Sequence, residues 1–322
     1  MNRSFAFLFL LSSALIAQDP PAAAPQQPAT QALPAAGSPE AQAIVDKAID
    51  KMLAYGKGSF KTTQSEDNAM MRGAGVPFGQ DDTEVEGGWS RNLRWGSFDG
   101  SDFLLANGRM LAKVGGAWKL RGKKLGDGKP APFTLDPELF FTVLKDLPAE
   151  SRKVVHVDAA EVAGKACTVL SLQFDGEAGT ELAESGALPG GGGGGFMMMG
   201  GGGGFPMPEI EHTVYVALFV DAGGDVVRLS TRSFEDNPMF ANVQIQVAGG
   251  PGGGGDDDGD EDKEQEKDAD AAKGAPQWKK GLPVKKPGKT ESVTTFRADF
   301  KSLGLADAPP LDDRMKAMLR AQ

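Results

Sequence analysis

The spacing of apolar residues predicts a first helix that begins near residue 39. Its apolar side chains recur with the helical period: Ile44, Val45, Ala48, Ile49 and Met52. Ser38 supplies an N-cap, Pro39 suits the first helical position, and Gly56 ends the pattern. A second helix is predicted from Asp136 to Leu147 by a similar stripe: Leu139, Phe140, Val143, Leu144 and Leu147.

Between and after these helices the period changes to two, which is typical of half-buried β-strands. Short alternating runs continue to about residue 121, and Asp99-Gly100 and Asn107-Gly108 are typical tight hairpin turns between them. Similar runs resume at residue 152, include residues 242–247 and end near residue 300, before a short helix from about Leu311. The order of helix, meander, helix, meander predicts an α+β fold, with an extensive antiparallel sheet curling around one or two helices.

Three tracts have no such period and are predicted to be unstructured. They are residues 18–38, rich in Pro, Ala and Gln, residues 187–208, rich in Gly and Met, and residues 249–290, acidic and then basic. Long insertions at hairpin tips cost little closure entropy. We therefore expect a single domain over residues 39–322 that carries the two later tracts as disordered insertions at hairpin tips.

The N-terminus has the pattern of a cleavable signal peptide over residues 1–17. Arg3 precedes an apolar run, and the small residue Ala17 stands before a polar leader. The run is shorter than the roughly 20 apolar residues that span a bilayer, although a short membrane anchor is the alternative. We expect an exported protein of the periplasm or the extracellular space, with no transmembrane span.

The net charge and the number and position of the cysteine and histidine residues argue against several functions. A formal net charge of −10 argues against nucleic-acid binding, which needs a basic surface. The single cysteine, Cys167, lies in an apolar run and is expected to be a buried core residue. His156 and His212 lie apart in predicted strands, so we expect no metal, no cofactor and no catalytic group. The acidic block from Asp256 fails the calcium-loop pattern, because the sixth position is Glu261 rather than glycine.

Several strand motifs together resemble the LolA/LppX/RseB-like superfamily, the outer-membrane lipoprotein-sorting type. They are F-D-G-x-x-F-L-L-x-N-G-R at 98–109, W-K-L at 118–120, the run at 161–172, the turn-containing run at 220–231 and the closing strand at 292–300. The resemblance implies a half-open β-barrel in the cell envelope, with helices covering its concave face. It also implies a non-enzymatic protein that holds a lipid, a lipoprotein acyl chain or a hydrophobic peptide in the concavity.

The two helices offer the apolar faces that would border such a cavity, and the Gly/Met tract could act as its lid. The expected cavity lining is Ile44, Ile49, Met52, Phe140, Val143 and Leu144, and the expected lid is Phe196, Met197, Met198 and Met199. The resulting hypothesis is a carrier or sensor of an apolar ligand, possessing no enzymatic activity. The alternative is an envelope interaction or structural protein with a filled core, whose charged insert contacts a protein partner.

Export gives the first testable prediction. N-terminal sequencing of the mature protein should find a chain that begins close to Gln18, because signal peptidase cuts after a small residue. An intact Met1 on protein purified from cells would contradict it.

Overall fold

The computed structural model describes residues 32–69, 82–121, 132–189, 210–238 and 277–320. The signal peptide, most of the leader, the Phe196–Met199 lid and the predicted strand at 242–247 lie outside these residues. The chain divides into two compact units, Met1–Ala32 and Leu33–Gln322, and every element below belongs to the second. No helix within the described ranges is long and apolar enough to cross a membrane.

The described elements follow the predicted order of helices and meanders. The helices are α1 (Pro39–Tyr55), α2 (Pro137–Asp146), α3 (Gly176–Glu184) and α4 (Asp313–Leu319). The strands of the first meander are β1 (Lys57–Asp67), β2 (Thr83–Ser90), β3 (Leu93–Phe98), β4 (Ser101–Ala106), β5 (Arg109–Val114) and β6 (Ala117–Arg121). The remaining strands are β7 (Val154–Val162), β8 (Lys165–Phe174), β9 (Glu211–Asp221), β10 (Val226–Asp236), β11 (Trp278–Lys279), β12 (Leu282–Pro283) and β13 (Glu291–Phe300).

Eleven of the described strands form one antiparallel, curved sheet in the order β6-β5-β4-β3-β2-β1-β13-β10-β9-β8-β7. The sheet does not close, because β6 and β7 lie at its opposite edges. It has two wings, an N-terminal wing of β2 to β6 and a C-terminal wing of β7 to β10, which β1 and β13 join at the centre. The predicted α+β class with a half-open barrel is confirmed, with α1, α2 and α3 on one face of the sheet and α4 on the other.

Local signals define the ends of both predicted helices. The Ser38 hydroxyl accepts a hydrogen bond from the Ala41 amide at 3.1 Å, and Gly56 ends α1 with φ 62°. In α2 the Asp136 carboxylate accepts from the Leu139 amide at 3.1 Å, with Pro137 following it. The Ser38 cap lies where the sequence predicts it, and Asp136, predicted as the first residue of the second helix, is its N-cap.

The face of the sheet against which α1, α2 and α3 pack is called the inner face, and the opposite face is called the outer face. On the inner face, α1, α2 and α3 pack against the C-terminal wing and the central strands in one continuous cluster. At the centre, the rings of Phe60 and Trp89 stack with centroids 6.0 Å apart, and Phe300 meets Trp89 edge-on at 5.8 Å. Aromatic pairs of this kind add about 0.5–1.5 kcal/mol to the burial of their area.

A polar cluster attaches the end of α1 to the β9–β10 turn. Tyr55 Oη donates to Asp225 Oδ1 at 2.5 Å, and Lys51 Nζ lies 2.6 Å from the same carboxylate oxygen. The hydrogen bond to Asp225 raises the pKa of Tyr55, and partial burial adds to the effect. Burial alone would raise the pKa of Asp225, but the bonds from Lys51 and Tyr55 outweigh it and lower that pKa.

Two predicted boundaries of the unstructured tracts are wrong. Residues 187–189, assigned to the Gly/Met tract, are buried, and Ala187 and Leu188 belong to the main core. Helix α3, which precedes them, was not predicted from the sequence. Its residue Gly179 approaches the sheet so closely that a Cβ would lie 2.4 Å from the His212 carbonyl oxygen. This close approach depends on tertiary packing, which helical periodicity does not report.

The C-terminal end of the predicted 249–290 tract is also wrong, because strands β11 and β12 form a hairpin on the outer face of the sheet. Trp278 stacks on His156 with centroids 4.7 Å apart. Arg232 donates to the carbonyl oxygens of Pro283 at 2.7 Å and Lys285 at 2.9 Å. The Ser171 hydroxyl donates to the Gly281 carbonyl oxygen at 2.7 Å. Side-chain contacts with distant strands therefore order a segment whose composition indicates a loop.

The hairpin gives a testable prediction about the insert. Replacing residues 249–276 with a short Gly/Ser linker should shift the melting temperature by only a few degrees, because the replaced tract is mostly charge and glycine. Trp278→Ala should lower the free energy of unfolding by about 1–3 kcal/mol, because it removes the ring stack over β7. Lys279→Ala, an exposed neighbour, is the control. Equal unfolding midpoints for Trp278→Ala and Lys279→Ala would contradict a structural role for the hairpin.

Candidate ligand-binding site

The structure brings the six predicted helical residues together on the inner face of the sheet, where α1 packs beside α2. Ile49 and Met52 are 1% and 4% exposed, and Phe140 and Leu144 are 0% exposed. Ile44 and Val143 are partly buried against the same cluster. These residues are therefore core residues packed against strands of the C-terminal wing. The predicted lid residues lie outside the described ranges.

The inner face continues beyond the helices onto the N-terminal wing. In an antiparallel pair, directly opposite residues point to the same face. The register gives one row across five strands, in which each residue is opposite the next: Trp89, Arg94, Leu105, Met110 and Arg121. Because Trp89 belongs to the main core, the whole row lies on the inner face.

This part of the inner face carries a second apolar cluster, here called the wing cluster. Val85, Phe103 and Met110 are buried, and Phe98 and Leu105 are partly buried against them. All five residues come from strands β2 to β5, whereas the main core includes residues of α1, α2 and α3. The wing cluster is thus a strand-built apolar surface with no member, among the described residues, from a helix.

A glycine in β3 allows the wing cluster to form. A Cβ at Gly96 would lie 2.6 Å from the Phe103 ring and 3.0 Å from a methyl group of Val85. Only a residue without a side chain therefore lets the ring lie directly on the sheet. The Phe103 ring fills the space that a side chain at position 96 would need.

Arg94 marks the boundary between the wing cluster and the main core. Its guanidinium donates to the Thr134 carbonyl oxygen at 3.2 Å, and its Nε lies 3.6 Å from the carboxylate of Asp136, the N-cap of α2. The arginine is therefore satisfied by the segment that leads into α2, and it fixes that segment to the sheet.

The outer face of the same wing carries a cleft of about 580 Å³, which was not predicted from the sequence. Its walls include Trp95 from β3, Trp118 from β6, Pro309 and Pro310, and Met315 from α4. The alternation of Trp95 and Trp118 within their strands could have indicated an apolar outer face. The position of the C-terminal segment over that face follows only from the tertiary structure.

The cysteine and the histidines of the described residues are packed against other parts of the fold. No group of three or more His, Cys, Asp or Glu within the described ranges is arranged to hold a metal ion. Cys167 is buried as predicted, and burial raises the pKa of its thiol, which disfavours the reactive thiolate. His156 stacks on Trp278 and His212 is buried beside α3, so neither faces the wing cluster.

Comparison with known proteins finds similar solved structures. LprF from Mycobacterium bovis is 14% identical, with a TM-score of 0.38 over 86% of this chain and 99% of that chain. The lipoprotein LppX from Mycobacterium tuberculosis is 9% identical, with a TM-score of 0.37 over 84% of this chain and 98% of that chain. A LolA superfamily protein from Nitrosomonas europaea is 10% identical, with a TM-score of 0.24 over 84% of this chain and 94% of that chain.

These structures belong to the type that the sequence motifs resemble. The likeness concerns the fold alone. No protein-family model matches the chain, and no curated protein matches it. Because the identities and TM-scores are this low, the fold assignment rests on the unclosed sheet of this chain, and the function must be argued from its own residues.

The placement of the helical residues gives a stability prediction. Leu144→Ala should lower the free energy of unfolding by about 2–5 kcal/mol, because the residue is fully buried in a packed cluster. Leu139→Ala is the matched control, since Leu139 lies on the same helix and is 38% exposed. Urea unfolding of both variants measures the difference. A cost below about 1 kcal/mol for Leu144→Ala would show instead that the residue borders an unfilled cavity.

Proposed function

We propose that this protein is a non-enzymatic cell-envelope protein that binds an apolar ligand, a lipid or a lipoprotein acyl chain, in the concavity of its half-barrel. It would act as a carrier or a sensor. The observation that carries the proposal is the unclosed sheet, whose inner face bears a second apolar cluster beyond the part packed by α1, α2 and α3, with Phe98 and Leu105 only partly buried in it.

The division of the inner face supports placing the ligand on the N-terminal wing. On the C-terminal wing, residues such as Phe140 and Leu144 already fill the space between helix and sheet. On the N-terminal wing, Val85, Phe103 and Met110 are buried as well, but Phe98 and Leu105 remain only partly buried. We therefore place the ligand further along the same face than the sequence predicts, at β3–β5 instead of between the two helices and β8–β10.

The chemistry of the wing cluster suits a hydrocarbon ligand. Each methylene group removed from water contributes about 0.8 kcal/mol, so an acyl chain needs a long apolar surface and few polar contacts. Phe98 and Leu105, the partly buried members of the cluster, offer an aromatic and an aliphatic side chain to such a ligand.

A second candidate is an envelope interaction or structural protein with a filled core. The complete burial of Phe140, Phe141 and Leu144 favours it, because a core packed to this extent needs no ligand. The two candidates differ in what they predict for the wing cluster. A carrier exchanges a ligand on this surface, whereas a structural domain does not.

Binding of an environment-sensitive fluorescent acyl probe to the folded protein tests the proposal. The probe should bind saturably, and Leu105→Gln should weaken its affinity about tenfold, because a polar group then faces the chain. Leu120→Gln is the matched control: Leu120 lies on the outer face of β6 and is 48% exposed. Its affinity should stay within about twofold of the wild type.

Circular dichroism and thermal unfolding must show that both variants fold. Failure of the wild-type protein to take up the probe saturably would overturn the proposal and favour the interaction-protein candidate. Equal losses in Leu105→Gln and Leu120→Gln would also contradict it, because the binding surface would then not be the inner face.

A further inference from the structure

The cleft on the outer face of the N-terminal wing combines aromatic side chains with a row of polar ones. Trp95 and Trp118 are half-buried, and both line the cleft. The register places Glu86 opposite Ser97 and Ser97 opposite Asp102, so these three polar side chains lie side by side on the outer face. All three line the same cleft. The cleft therefore offers flat apolar rings beside a row of hydrogen-bonding groups.

The C-terminal segment forms a wall of this cleft and is held in place by the β4–β5 hairpin. Asn107 donates to the Leu319 carbonyl oxygen at 3.0 Å, and Arg109 donates to the Met318 carbonyl oxygen at 3.0 Å. Met315, which lines the cleft, is buried in the cluster that joins α4 to β4 and β5. Because the fold itself fixes this wall, a ligand does not have to order it, and that lowers the cost of binding.

The charges in the cleft are balanced by ion pairs. Lys113 Nζ lies 3.4 Å from Asp102 Oδ2, and Lys301 Nζ lies 3.3 Å from Glu86 Oε1. Glu86 and Asp102 thus each have a cationic partner. A cationic ligand would compete with these lysines for the carboxylates, and an anionic ligand would be repelled by the same carboxylates. The charge pattern therefore favours an uncharged ligand.

An uncharged carbohydrate matches the cleft better than other neutral ligands. The C–H face of a sugar ring packs on an aromatic ring, and sugar hydroxyl groups donate to carboxylates and accept from ammonium groups. A proline-rich peptide also packs on tryptophan rings, but it offers few donors to Glu86 and Asp102. A hydrocarbon chain leaves the polar row without partners. The volume of about 580 Å³ lies within the range of roughly 300–1,000 Å³ that is usual for small-molecule sites.

We infer that the outer-face cleft binds a neutral carbohydrate, with a sugar ring on Trp118 and hydroxyl groups hydrogen-bonded to Asp102 and Glu86. The site lies on the face of the sheet opposite to the wing cluster. It is therefore a second binding activity, which does not depend on the proposed function.

Titration calorimetry with neutral oligosaccharides tests the inference, using cellopentaose, maltopentaose and chitopentaose, with choline and decaproline as comparison ligands. At least one of the oligosaccharides should bind with a Kd of about 1 mM or tighter, and choline and decaproline should bind at least about tenfold more weakly. Trp118→Ala should weaken that oligosaccharide about tenfold, because it removes the ring on which the sugar packs. Asp102→Ala should also weaken it about tenfold, because it removes a charged hydrogen-bond acceptor.

Leu120→Ala is the matched control, because Leu120 lies two positions along the same face of β6, outside the cleft, and is 48% exposed. Its affinity should stay within about twofold of the wild type. If Trp118→Ala unfolds, Asp102→Ala decides the test, since the Asp102 side chain is 47% exposed and its removal leaves the core intact.

Three results would overturn the inference: no binding of any of the oligosaccharides, binding that Asp102→Ala leaves unchanged, or tighter binding of choline or decaproline. The fluorescent acyl probe reports on the inner face instead, and Asp102→Ala should bind it with unchanged affinity. Loss of carbohydrate binding alone would therefore leave the proposed function standing, and loss of acyl-probe binding alone would leave this inference standing.

Discussion

Pairing of β1 with β13 makes one sheet out of two meanders. The ladder runs from Phe60 opposite Phe300 to Asp67 opposite Val293, so it joins the first strand of the chain to the last. The rings of Phe60, Trp89 and Phe300 pack together where the paired strands β1 and β13 contribute to the main core. Without the β1–β13 pairing, each meander would form a separate sheet with an additional open edge and only half of the inner face. The shared inner face, and any binding surface on it, therefore depends on this long-range contact.

The two wings of the joined sheet differ in which elements pack on their inner face. Three helices occupy the inner face of the C-terminal wing, and the polar cluster of Tyr55, Lys51 and Asp225 holds the end of α1 to it. The N-terminal wing contributes strand residues alone to its own apolar cluster, among the described residues. One wing is thus stabilised by packing that is already complete. The other carries the wing cluster, in which Phe98 and Leu105 are only partly buried.

Local features of the fold could be predicted from the sequence, because their causes are local. The caps at Ser38 and Asp136, the turns at Asp99-Gly100 and Asn107-Gly108, and the alternation of the strands depend on neighbouring residues. Helix α3 and the β11–β12 hairpin could not be predicted, because distant strands order them through contacts such as Trp278 on His156. Similarly, nothing in the sequence near Arg121 indicates that it shares a row with Trp89. That row follows from the register of four successive strand pairs.

Mass spectrometry of the molecules extracted from natively purified protein tests the central claim most directly. A carrier that holds an apolar ligand on the N-terminal wing should yield such a molecule in a near-stoichiometric amount. The yield should fall in Leu105→Gln protein purified in the same way. An extract without apolar molecules, from protein that is folded and purified without detergent, would contradict the binding function and indicate a structural or interaction role.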